Sequence, residues 1–157
     1  MTVPAMSPRS AIANLLVDGM FAGLASAALL AWRGRRDNAS AVAPLNAPAH
    51  WFFGRESLVQ DDPSWRHTVT GLLVHQASSL FWAGFYELLQ ARRRRTTPAN
   101  ALGDAALVTA VAAGVDLMIV PPRLTPGFEQ RLRRPSLAGV YVAFGLGLAL
   151  ARLVRQH

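Results

Sequence analysis

The residues able to do chemistry in this chain stand inside its apolar stretches. Between Arg66 and Glu87 the run RHTVTGLLVHQASSLFWAGFYE sets His67, His75, Gln76, Ser78, Ser79 and Glu87 among aliphatic and aromatic neighbours. Wound as a helix, it puts Gly71, His75, Ser78, Ser79, Trp82 and Tyr86 on one face and Leu72, Leu73, Leu80 and Phe81 on the other. Imidazole titrates near neutrality and ligates metals when neutral. His67, His75 and Asp116, with Ser79 beside them, therefore form a candidate cluster for proton relay, small-ligand traffic, or a metal or haem site; His50 and Arg123 are possible additions. The plainer alternative is a hydrogen bond from His75 to Asp116 that locks two helices together. His67 and His75 lie about 12 Å apart along a helix, so by themselves they cannot share one ion.

A second set, Asp18, Glu87 and Asp104, falls toward the opposite end of the same helices. Asp104 sits in a first turn, where the helix dipole favours an anion. Glu87 flanks the arginine run 92–95. Asp18 lies deep in an apolar stretch, where a carboxylate needs a partner, and Asn14 one turn earlier can supply part of it.

Composition says what surrounds these groups. Of 157 residues, 52% are hydrophobic and 16% charged, against about 25% charged in ordinary soluble domains. The net charge is +7, and all 16 basic residues are Arg. They collect at the ends of apolar segments, as lipid head groups and membrane insertion require, and not in the stripe that nucleic acid requires. Cysteine is absent, which removes thiolate and disulfide chemistry. No nucleophile elbow, phosphate loop, zinc-protease or dinucleotide motif occurs. The sequence thus assigns no catalytic residue, no metal and no cofactor, and it leans away from an enzyme.

The elements that must position the clusters read as all-α. One domain of four transmembrane helices is expected, over about 11–32, 68–89, 101–120 and 135–151, each near the ~20 residues that cross a bilayer. Ala25-Ser26-Ala27 resembles a signal cleavage site, but the apolar run continues past it, so the first span is read as uncleaved. Interfacial helices are expected over about 46–53, with Asn46 as cap and Pro48 in the first turn, and over about 126–134, with Phe128 and Leu132 dipping into lipid. Asp62 with Pro63 is expected to open the second span, Asn100 to cap the third, and Arg152 and Arg155 to snorkel from the fourth.

Gly19, Gly23, Ala27 and Ala31 recur every fourth residue in the first span, as do Gly139, Ala143, Gly147 and Ala151 in the fourth. Such small-residue stripes let backbones approach. They suggest that the first and fourth helices pack together, or that each meets its copy in a second subunit. With four spans the termini share a side with the loop carrying the dense run 92–95, which favours a cytoplasmic placement, although the longer loops opposite hold more arginines in total.

Ala43-Pro44-Leu45-Asn46-Ala47 with His50-Trp51, Arg66-His67-Thr68, Gly71, His75, Ser78-Ser79, Phe81-Trp82-Ala83 and Leu124-Thr125-Pro126-Gly127-Phe128-Glu129 together carry a resemblance. Over residues 43–135 the chain resembles a group of small, uncharacterised bacterial inner-membrane proteins with four predicted helices. The resemblance implies a multi-pass inner-membrane location and no particular activity. The expectation that follows is a structural or assembly component, in contact with lipid and forming a homo-oligomer or joining a larger complex. Transport through a polar path between the second and third helices, and a metal or haem site, stand as alternatives.

Overall fold

The computed structural model describes residues 8–93 and 95–155, and every regular element in them is helical. Residues 1–7 and 156–157 of the expected domain, and Arg94 of the arginine run, lie outside the described residues. Helix α1 (Pro8–Asn38) outruns its expected span because Arg33, Arg35 and Arg36 continue it, arginine being a good helix former. Ala39, at φ 63°, ends it in the left-handed conformation that breaks the ladder.

Three short helices follow, α2 (Ala43–Asn46), α3 (His50–Phe53) and α4 (Arg55–Val59), with a 3₁₀ turn at Ala47–Ala49. Asn46 does not cap a helix here. Fully buried, it donates from Nδ2 to the carbonyls of Gln60 (2.9 Å) and Asp62 (3.1 Å), while its Oδ1 accepts from Thr68 Oγ1 at 2.6 Å. One side chain thereby ties the turns over residues 43–62 to the start of the next long helix. That helix opens two residues later than expected, with Ser64 as cap accepting from His67 N at 2.9 Å. A π-helical turn, Trp65–Val69, runs into α5 (Thr70–Ala91).

Helix α6 (Pro98–Gly114) starts from Thr97, which accepts from Asn100 N at 3.2 Å and replaces the expected Asn100 cap. It continues through a second π-helical turn, Val115–Ile119, and α7 (Arg134–Val154) closes the fold. Helix α1 packs along both α5 and α7, while α6 packs on α7 and more sparingly on α5. The result is a four-helix ring capped at one end by the short helices. Ala22, Tyr86, Val108, Phe144 and Leu148 fill its centre, and Leu30, Ala47, Phe128, Leu132 and Val140 fill the capped end.

Three of the four long helices are long and apolar enough to cross a membrane: α1, α6 with its π turn, and α7. Helix α5 has the length, 22 residues, but His75, Gln76, Ser78, Ser79 and Glu87 lower its hydropathy. Its polarity is one-sided, since Leu72, Leu73, Phe81, Phe85 and Leu88 are exposed on its outer face.

The small-residue stripes act differently from each other. Helices α1 and α7 do pack together, and a Cβ on Gly147 would stand 2.6 Å from the Ala22 Cα. Gly19 and Gly23, however, face α5: a Cβ on Gly19 would meet Leu80, one on Gly23 would meet Gln76, and Gln76 Nε2 donates to the Gly19 carbonyl at 2.9 Å. The segment 126–134 also departs from expectation. Phe128 and Leu132 turn inward onto Leu30 and Val140, because Gly127 at φ 85° lets the backbone double back against Ala47 and His50.

Candidate functional site

Helices α5 and α6 are joined at the ends that flank residues 92–97. Tyr86 Oη donates to the Ala101 carbonyl at 3.3 Å, and Gln90 Nε2 and Arg93 Nη2 reach Asp104 at 2.9 and 2.6 Å. Toward the capped end the two helices enclose a cavity of about 580 Å³, walled also by α7. Its walls are mainly apolar and aromatic, with Trp82, Phe128 and Phe144 inside, and Phe52, Phe81 and Leu124 standing exposed at its rim. Trp51 helps to fix the roof by donating from Nε1 to the Thr125 carbonyl at 2.9 Å.

Few polar groups enter it: Ser26, His75, Ser78, Ser79, Asp116 and Tyr141. The face of α5 read from the sequence is therefore the face turned inward. Buried Ser79 donates back to the His75 carbonyl at 2.9 Å. His75 Nε2 lies 2.9 Å from Ser26 Oγ, whose own hydrogen reaches the Ala22 carbonyl at 2.8 Å. Asp116, in the π-helical turn of α6, accepts at Oδ2 from Tyr141 Oη at 3.1 Å. His75 and Asp116 thus share a cavity without bonding to each other; each is held by a different helix, α1 and α7. π turns recur where a helix presents a functional side chain.

His67 belongs elsewhere. It is buried under the cap, with Nδ1 2.9 Å from Ser57 Oγ and its ring edge-on to Phe53. His50 turns its Nδ1 to the Ala47 carbonyl at 2.8 Å and does not line the cavity. Among the described residues no three His, Asp or Glu side chains converge with metal-ligand geometry.

The second cluster is drawn together at the other end of the bundle, with partners different from those expected. Arg155 Nη2 lies 2.5 Å from Asp18 Oδ1 and 3.7 Å from Glu87 Oε1, and Arg152 Nη1 donates to Glu87 Oε1 at 3.1 Å. The two arginines expected to snorkel instead turn inward, and among the described residues it is with them that Glu87 pairs. Asp104 is held apart by Gln90 and Arg93, a hydrogen-bonded ion pair that raises the proton affinity of the Arg93 guanidinium.

The chain matches no family model, no curated protein and no solved structure. The site residues that the sequence did not single out are Ser26, Tyr141, Trp51 and Phe144. Ser26 had one available signal, as a polar interruption in an otherwise apolar span. The others look in the sequence like ordinary aromatic residues of a buried core.

Proposed function

We propose that this protein is a four-span inner-membrane protein that binds a lipophilic small molecule in the cavity between α5 and α6. One observation carries the reading: a cavity of about 580 Å³ with apolar walls and a few inward polar groups, rimmed by exposed Phe52, Phe81 and Leu124. Ligand sites typically have about this volume and this division between apolar wall and sparse polar anchors. The one-sided polarity of α5 supports its crossing as the fourth span, since a polar face at membrane depth must point into the bundle. Four spans then put the termini and the loop 92–97 on one side, with the arginine run favouring the cytoplasm.

A long-chain alcohol bearing a photoactivatable diazirine tests the reading. In native membranes it should label peptides covering residues 74–82 and 112–120, and Ser78→Trp, which fills the cavity, should remove that labelling. Uniform labelling of the apolar belt, unchanged by Ser78→Trp, would end it.

The assembly reading has its own observation. A groove of about 660 Å³ between α6 and α7 is lined by Ala106, Ala110, Ala113, Ala138 and Gly145, and small residues let a second helix approach closely. Because the chain contains no cysteine, Ala110→Cys alone reports on contact: oxidative cross-linking to a dimer supports a homo-oligomer through this face, and a monomer under the same conditions removes it.

A further inference from the structure

The cavity holds a carboxylate without an arginine partner among the described residues. Asp18, Glu56, Asp61, Glu87 and Asp104 each have an arginine within ion-pair distance. Asp116 has none among the described residues, although the chain holds 16 arginines. Its Oδ2 accepts from Tyr141, and the residue lines the cavity. Glu129 sits close enough to act electrostatically on both Asp116 and Tyr141, and its Oε2 is buried without a partner. The cavity lining therefore presents the Asp116 carboxylate and, among the described residues, no arginine, with Glu129 adding negative charge behind it.

Resting on the cavity reading above, we propose that the ligand is a hydrophobic organic cation, its positive charge set against Asp116 and its apolar body among the aromatic rings of the wall. A carboxylate at membrane depth calls for a compensating partner, and the protein supplies a hydroxyl but no charge. The negative faces of Trp82, Phe128, Phe144 and Tyr141, all in the wall, suit a desolvated cation equally well. An anionic head group would set its charge against Asp116, with Glu129 behind it, and be repelled.

Tetraphenylphosphonium and tetraphenylborate share one shape with opposite charge, and equilibrium dialysis against the full chain in lipid nanodiscs separates the contributions. The phosphonium should bind saturably, the borate should not compete, and Asp116→Asn should weaken phosphonium binding by about tenfold or more, as the loss of one weakly screened charge contact predicts. Glu129→Gln, which leaves the Tyr141–Asp116 bond intact, should weaken it to a smaller extent and serves as the test if Asp116→Asn does not fold. Phosphonium binding unchanged in the folded variants, or equal competition by the borate, overturns the inference. Neutral N-phenyl-1-naphthylamine separates the two levels. If it binds and is displaced by Ser78→Trp while the phosphonium does not bind, the cavity reading stands and the cation falls; if neither probe binds, both fall.

Discussion

Arg155 reaches across the bundle to Asp18, Nη2 to Oδ1 at 2.5 Å, joining the end of the last helix to the middle of the first. Asp18 is fully buried, and the Arg155 side chain is only 21% exposed. Breaking one side of a buried pair typically costs about 3 to 5 kcal/mol, whereas removing both is far milder, and without Asp18 the Arg155 guanidinium keeps only the longer contact to Glu87 Oε1 at 3.7 Å. Asp18→Ala should therefore strongly lower the melting temperature in detergent, and adding Arg155→Leu to it should recover most of the loss. An additive double variant would mean that the pair does not couple.

The His75–Ser26 bond is a contact between α1 and α5 of ordinary strength. Interhelical hydrogen bonds in membrane proteins average about 0.6 kcal/mol, and Ser26 keeps the Ala22 and Gly23 carbonyls as alternatives. His75→Leu should accordingly fold and lose about 1 kcal/mol or less, read as a small shift in thermal unfolding. A collapse of the fold would mean that His75 holds more of the bundle than this bond.

Two glycines on neighbouring helices should respond in opposite directions to alanine. A Cβ on Gly71 would fall onto the Leu45 carbonyl oxygen, while one on Gly103 meets nothing within 4 Å. Gly71→Ala should push the cap off α5 and cost about 1 to 3 kcal/mol. Gly103→Ala should stabilise α6 by about 0.5 to 1 kcal/mol through reduced backbone freedom. Equal effects in unfolding experiments would contradict the close approach of the cap to α5.

The crossing of α5 is open to direct test on a chain free of cysteine. Single variants Glu56→Cys and Thr96→Cys flank that helix. An impermeant maleimide applied to oriented vesicles should modify them from opposite sides. Modification of both from one side would leave the three spans that length and apolarity support and remove the fourth.

Much of the architecture was readable before folding because it follows from local physics. Pro135 marks a helix start, Pro121-Pro122 a stop, and apolar runs of about twenty residues define the long helices, although the third begins at Pro98, which reads in the sequence as part of a turn. The inward face of α5 was legible as well, since helical period alone aligns His75, Ser78, Ser79 and Trp82. Cap identities slipped by two or three residues at both α5 and α6, because several neighbouring polar residues, Asp62 and Ser64 or Thr97 and Asn100, suit the same position.

Partnerships were not readable. Similar depth pairs His75 with Asp116 in the sequence, yet they bond to Ser26 and Tyr141. The sequence points Phe128 and Leu132 to lipid and Arg152 and Arg155 to the surface, yet all four turn inward. The chain's own periodicity determines which residues share a face, because a face is a property of one helix. Which side chain stands across from it depends on helix order, rotation and vertical offset. Those are decided only when Gly147 meets Ala22, Gly71 meets the cap and the two ends of the bundle close, leaving space beside Asp116 that no sequence period encodes.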